Sequence, residues 1–573
     1  MFASLFAAAL LGLLLVGFYF CWIAPIFNSL RELCGPRVPG VFGNHMGPIL
    51  DPFRSPRVHE LYVKRYGHSF RIRGLGPWDD RLLTLDPVSI AHVLKNSTVY
   101  EKPWQSRRLI TSFIGCGMLA AEGDAHRRQR RVSTPAFGLQ NLRALVPMVS
   151  GKGHELRDKW LEIIDGAPQD CKDEKGKGVK LDVCHWISRA TFDVIGLAGF
   201  DYQFNAIQDD SNELFCAYKD MFEVAISQGQ GLRSVASIFF PILDTIWPVK
   251  ATHTVRRAHE VINRVAGTLI QQKKAQLAAG AAPTSDLLTL LLSSNSSTDI
   301  SPNQRISDAD VLHNINTFLF AGSDTTSLAL TWTLLLLAQN PASQRELRAE
   351  LLTLPPAEGE DEEGMWEWHN QLAKLPYLHN VMRESLRLIP PVHSSLRVAT
   401  RDDAIPTSLP LHTRIPYAPY RVIHPPGRAI PIQKGSMVHI PIEGFNLALS
   451  VWGPDAHSFV PARWDNLPPA ALAQPGLLNG LLTFSAGPRS CIGMRFSLIE
   501  MRVFMWVLLR AFVFSEGEEK ITKANVVLTR PYIRGRFKEG SQLPLWVRPY
   551  VPGEEADLEP EAKAEEPNAK HGA

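Results

Sequence analysis

The chain has 573 residues, 45% of them hydrophobic and 20% charged, which is enough apolar content for a large core and too much for a disordered chain. A net charge of +3 says little about nucleic acid, and no dense basic tract with interleaved aromatics stands out as a nucleic-acid surface. Seven cysteines without a Cys-x-x-Cys pair argue against zinc ribbons, iron–sulfur clusters and a disulfide framework, and fit a reducing compartment.

Residues 1–27 carry no charged side chain, and about 20 such residues span a bilayer. A cleaved signal peptide is the competing reading, but there is no basic n-region and the apolar run is too long for a signal core. Arg31 and Arg37 follow the run, so the positive-inside tendency leaves the remainder cytosolic, while Tyr19 and Trp22 suit an interfacial belt. Residues 28–50, with Cys34-Gly35-Pro36-Arg37-Val38-Pro39-Gly40 at their centre, read as a stiff, turn-rich hinge. Between 60 and 550 there is no clean linker, so one oversized domain over 51–552 is expected. Residues 553–573, rich in Glu, read as an acidic disordered tail.

Within the domain, Ser69–Arg73 and Arg81–Leu85 read as strands of a small sheet. His126-Arg127-Arg128-Gln129-Arg130-Arg131 reads as a basic helical face in which His126 and Arg130, at i and i+4, lie on one side. Phe192–Phe200 reads as a buried helix. Residues 226–250, with Phe239, Phe240 and Trp247, are apolar and aromatic, and Ala275–Ser285 reads as a loop. The sequons at Asn96 and Asn295 are read as chance, because a cytosolic domain does not meet the glycosylation machinery.

Residues 306–339 form a long apolar helix opening on Asp308-Ala309-Asp310. In its middle, Ala321-Gly322-Ser323-Asp324-Thr325-Thr326 combines a helix-weakening glycine with threonines that bond back to i−4 carbonyls, so a bend is expected there. Residues 375–388 are helical, with Glu384 and Arg387 at i and i+3. Finally, Phe484-Ser485-Ala486-Gly487-Pro488-Arg489-Ser490-Cys491-Ile492-Gly493 sets one cysteine among glycines. Such a loop lets backbone approach a porphyrin, aims amides at a thiolate and offers an arginine to a propionate.

The spacing of Phe484, Gly487, Arg489, Cys491 and Gly493 resembles the haem-thiolate signature of the cytochrome P-450 monooxygenases at all five fixed positions. The resemblance covers roughly residues 35 to 550, in the style of fungal microsomal members. It implies a mainly α fold with small β-sheets (α+β) preceded by an N-terminal transmembrane helix, with heme b (iron protoporphyrin IX) held by Cys491 as axial ligand. It further implies Phe484, Gly487, Arg489 and Gly493 around the cofactor, with His126, Arg130 and Arg397 at the propionates. The family usually has Trp-x-x-x-Arg where this chain has His126-x-x-x-Arg130. The hexapeptide 321–326 is similar to the oxygen-binding motif, in which Asp324 feeds protons inward and Thr325 assists O–O cleavage. Ala321, Gly322 and Val392 would face substrate. Glu384, Arg387 and Arg463 would form a buried structural ion-pair set. Residues 226–250 would cover the substrate entrance, although core packing explains the same composition. Residues 403–434 depart from the pattern as a Pro-rich insertion, expected on the surface.

The activity so implied is oxidation of a lipophilic molecule, a terpenoid or sterol being favoured, at the endoplasmic reticulum membrane. Electrons would come from NADPH through a separate NADPH-cytochrome reductase, a flavoprotein, since the chain lacks a nucleotide-binding glycine motif; a cytochrome b-type protein is a further candidate donor. Arg127, Arg128 and Arg131 would help to form the basic surface that such a partner meets. Two alternatives remain: a haem-thiolate isomerase or dehydratase, against which Asp324-Thr325 speak, and a non-enzymatic anchored protein whose cysteine is structural.

Overall fold

The computed structural model describes residues 2–553 except 39, 41–42, 52–54, 174–175, 210, 229–236, 238–245, 247–248, 281–285, 297–300, 302–303, 358, 360, 415–420 and 526. The aromatics Phe239, Phe240 and Trp247, and the acidic tail from 554, lie outside the described residues.

Helix α1 (Phe2–Phe18) continues through a π turn and a 3-10 turn to Phe27. Ser4–Phe27 has a mean hydropathy of 2.3, and none of its most apolar stretch is buried inside the protein. At 1.5 Å per residue its 24 residues reach ~36 Å, more than the ~30 Å hydrocarbon core of a bilayer. Phe20 meets Trp78 edge-on at 6.4 Å between ring centroids, bringing the end of this helix against the domain.

Helix α2 (Ser55–Tyr66) leads into β1 (Ser69–Arg73) and β2 (Asp80–Thr84), the latter shifted one residue from the expected strand. With β3 (Tyr100–Glu101), β5 (Ser395–Ala399) and β10 (Met437–Ile440) they build a five-stranded sheet in the order β1-β2-β10-β5-β3. β4 (Val179–Asp182), β11 (Phe512–Glu516) and β14 (Pro544–Pro549) form a second, three-stranded sheet. Three hairpins complete the β structure: β6 (Asp403–Ile405) with β9 (Ile430–Ile432), β7 (Leu411–Arg414) with β8 (Arg421–His424), and β12 (Ile521–Asn525) with β13 (Thr529–Ile533). The insertion is therefore a hairpin within a hairpin. Its Pro416-Tyr417-Ala418-Pro419-Tyr420 lies outside the described residues.

The remaining mass is helical. Helices α3 (Trp104–Ile114) and α4 (Gly123–Ser133) flank the site, and α5 (Leu145–Gly166) packs on α10 (Met494–Ala511). α7 (Lys250–Ala278) carries helix into residues expected as loop, because its Ala-rich end favours helix. α8 (Asp308–Gln339) crosses the core against α6 (Val183–Phe200), which contains the expected buried segment. Its start is fixed by a capping box between Ser307 and Asp310, and it runs as α-helix without interruption through Gly322. Tertiary packing thus carries the backbone across the weak segment.

Behind β10 lies a polar group of buried His59 and His439 with half-buried His393, and Glu443 paired to Lys523. Burial pulls His59 down to about 4, with Glu443 opposing and His393 assisting. Burial, then His59, Arg81 and His393, pulls His439 to about 3. Burial likewise pulls His393 to about 4, against Glu443 and with Lys523 assisting. Folded-state values below the ordinary ~6.5 mean that the unfolded chain takes up protons first as pH falls. Stability from these groups is therefore complete above pH ~6.5 and is lost on descending through about 4. Neither ring nitrogen of His439 has a hydrogen-bond partner among the described residues. His439→Phe should therefore lose less unfolding free energy between pH 7 and pH 5 than the unsubstituted protein, by urea denaturation; equal losses would contradict this.

Candidate active site

A cavity of about 450 Å³ lies between α8, α3, β5 and the loop before α10. Its walls are mainly apolar, with Leu109, Ile110, Phe113, Phe320 and Leu528 among them. Of the residues singled out from sequence, Ala321, Asp324 and Thr325 line it from α8, and Phe484, Arg489 and Cys491 from the loop. Val392 and Arg397 line it from the segment leading into and along β5. Gly322 does not. It lies one helical step round from Ala321 and faces α6, where an added Cβ would come within 2.9 Å of Ile195 Cδ1.

The loop is set by its backbone. Gly487 has φ +71°, and a Cβ there would sit 2.5 Å from the Leu94 carbonyl oxygen, so glycine lets the loop rest on the helix Pro87–Lys95. Cys491 N–H donates to Phe484 O at 3.0 Å, and Arg130 Nη1 donates to Ser490 O at 2.8 Å. Gly493 is the N-cap of α10, which places Cys491 at that helix's positive end. Burial pushes the Cys491 thiol up, while the Gly493 N–H and the Arg130 charge pull it back. Cys491 is exposed and is one of the residues that line the cavity.

Around one end of the cavity stand Arg489, Arg397 and Lys102. Arg489 pairs with Glu122, and its Nη1 is buried with no partner among the described residues. Arg397 donates to Ser395 Oγ at 2.6 Å and Leu396 O at 2.9 Å, and burial pulls it to about 10. Burial, then Arg489 and Arg397, pulls Lys102 to about 7. Arg489, Arg397 and Lys102 stand against Glu122 and Glu101, and one buried guanidinium nitrogen of Arg489 has no partner among the described residues. This donor set fits a ligand that brings two carboxylates, as haem propionates would, while Cys491 fits as a thiolate donor. Lys102 and Glu122 were not visible from sequence, since no motif marks them.

His126 is buried on α4 and does not line the cavity; nor does Arg130. Burial and the charges of Arg489, Lys102 and Arg130 pull His126 to about 3, so it is a neutral imidazole. On α8, Thr325 Oγ1 donates to Ala321 O at 2.7 Å, and Arg530 Nη2 of β13 donates to Asp324 Oδ2. Burial pushes the Asp324 carboxyl up and Arg530 opposes it. Arg530, 206 residues away in the chain, is a further site residue with no sequence signal. Glu384, Arg387 and Arg463 do meet: Arg387 donates twice to Glu384 at 2.8 Å, and Arg463 Nε once at 2.9 Å. Among the described residues no group of three or more His, Cys, Asp or Glu side chains is placed to hold a metal ion.

The family model for cytochrome P450 matches residues 54–534. Cytochrome P450 monooxygenase 128 of Postia placenta is 37% identical over 92% of this chain and 94% of its own length. Cytochrome P450 monooxygenase claO of Ampulloclitocybe clavipes is 31% identical over 86% and 88%. Ganoderic acid synthetase of Ganoderma lucidum is 31% identical over 77% and 80%.

Proposed function

This chain belongs to the cytochrome P450 family and is a haem-dependent monooxygenase, and from that premise we propose that Cys491 is its axial thiolate and that it oxidises a terpenoid or sterol drawn from the membrane. When bound, the haem activates dioxygen and delivers one oxygen atom to the substrate. The observation that carries the residue assignment is the position of Cys491 on the wall of an apolar cavity that Asp324 and Thr325 also line.

The chain's own residues then divide the work. Arg489, Arg397 and Lys102 receive the propionates, with neutral His126 and Arg130 behind them. Arg130 fixes the loop at Ser490, and the α10 terminus with the Gly493 N–H favours the thiolate. The Thr325 hydroxyl, now donating to Ala321 O, rotates to pass a proton into the cavity, and Asp324 resupplies it. Arg530 is a positioning residue that holds the buried Asp324 carboxyl in place, while burial raises its proton affinity and so favours the protonated form that can resupply Thr325. NADPH supplies electrons through a flavoprotein reductase, or a cytochrome b-type donor, at the endoplasmic reticulum membrane, with the domain on the cytosolic side. The apolar walls, and the similarity to the ganoderic acid synthetase of Ganoderma lucidum, support a terpenoid.

Titration of the haem protein with sterols, triterpenoids, fatty acids and small aromatics, read as spin-state shifts, tests the substrate class. Saturating shifts with terpenoids at the lowest concentrations are expected; a shift only with small aromatics would contradict it. Thr325→Val should retain haem while product per NADPH falls roughly 10²-fold and hydrogen peroxide rises. Fully coupled turnover would contradict the proton role.

A further inference from the structure

We propose that the β7–β8 hairpin clasps the linker behind the membrane span and, with the last turn of α2, presents a basic face to anionic phospholipid headgroups. The inference rests on reading Ser4–Phe27 as a bilayer span. The linker is not loose. Leu30 and Leu33 are buried, and Asn28 Oδ1 caps the 3-10 turn Ser29–Glu32 by accepting from Leu30 N–H at 2.8 Å. Leu33 bridges to Thr413 of β7, Cys34 N–H donates to His412 O at 3.0 Å, and Arg71 N–H of β1 donates to Cys34 O at 2.9 Å. The linker is thus a short strand between β7 and β1. Gly35 makes the approach possible, since a Cβ there would lie 2.0 Å from Arg71 O.

Chain length then fixes where the hairpin can be. Five residues separate Phe27 from Leu33, six Cα steps with a reach of at most ~22 Å fully extended. The clasp must therefore sit beside the bilayer that holds the span. Its charge fits that place. Arg414 and Arg421 stand directly opposite each other across β7 and β8, a like-charge pairing that costs stability unless something compensates it. They do not turn to carboxylates: Arg414 Nε donates to Arg31 O at 3.1 Å and Arg421 Nη1 to Arg65 O at 2.6 Å. Arg31 Nη1 donates to Ile26 O at 2.8 Å, carrying the array back to the span. Lys64, Arg65 and Arg428 are exposed around it, against the single linker carboxylate Glu32. Among the described residues none of Arg31, Lys64, Arg65, Arg414, Arg421 and Arg428 forms an ion pair with an acid. Ile423 projects from β8 at 55% exposure, and Leu75 and Trp78 are exposed where the domain meets Phe20. Arginines with a few protruding apolar and indole side chains next to a span match a headgroup layer.

The test is hydrogen–deuterium exchange of the full chain in vesicles of phosphatidylcholine, alone or with phosphatidylserine, at low and high salt. Peptides covering 60–66 and 421–428 should gain protection with phosphatidylserine and lose it in high salt, each arginine contributing roughly fivefold in binding. The double variant Arg414→Glu/Arg421→Glu should lose that gain. Because it also touches the clasp, Arg428→Glu, on the exposed turn, should reduce the gain while leaving peptide 28–36 as protected as before. Equal exchange in both vesicles, with peptide 4–27 protected, would overturn the headgroup face alone. Protection that follows addition of the reductase rather than phosphatidylserine would also overturn it. An unprotected 4–27 would overturn the span reading and the proposal together.

Discussion

Cys491→Ala should leave a folded, membrane-bound protein whose turnover falls to background, a loss of at least roughly 10³-fold of the kind seen when a chemically indispensable group is removed. The fold should survive because the thiol faces the cavity and the loop is held by backbone: Cys491 N–H on Phe484 O, Arg130 on Ser490 O, and Gly487 against Leu94. None of these bonds uses the sulfur. The chemistry should not survive, because the thiolate's electron donation is what suits the iron to cleave O–O bonds. Circular dichroism and bound-haem content separate the two effects. Cys116→Ser, at an exposed thiol, should change neither. A Cys491→Ala protein that turned over normally would sink the assignment.

Glu384→Ala should cost about 3–5 kcal/mol, a large part of the 5–15 kcal/mol by which a domain is stable. Glu384 is fully buried and accepts from Arg387 twice, from Arg463, from Trp464 Nε1 at 3.0 Å and from Val460 N–H at 3.0 Å. Removing it strands the Arg387 guanidinium, itself fully buried and lying 5.1 Å over the Trp452 ring, without a counter-charge. The cost comes from the uncompensated charge, not from any net gain of the intact pair. Glu384→Ala should therefore accumulate poorly and lose haem on mild warming. The triple change to leucine at 384, 387 and 463 should recover part of the stability. A Glu384→Ala protein within about 1 kcal/mol of the unsubstituted one would contradict the account.

What was legible in the sequence was what is local. The five fixed positions of the cysteine loop, the helix through Asp324 and the alternation of Ser69–Arg73 are each set by neighbours in the chain. Charge partnerships were legible where spacing announces them, as for Glu384 and Arg387 one turn apart, or where the family resemblance supplies the partner, as for Arg463; Arg530 and Asp324, 206 residues apart, had neither signal. Direction around a helix also escaped, so Gly322 faces Ile195 while its neighbour Ala321 faces the cavity. The segment expected as a hinge is docked between β1 and β7 over residues 33–34, because its partner strand comes from the insertion some 380 residues later, a pairing that no local pattern shows.

The reduced carbon-monoxide difference spectrum of the full-length protein in membranes, supplied with haem, tests the central assignment most directly. A Soret band of the thiolate-ligated type is the result this account predicts. A folded protein that binds haem without that band would contradict Cys491 as the ligand.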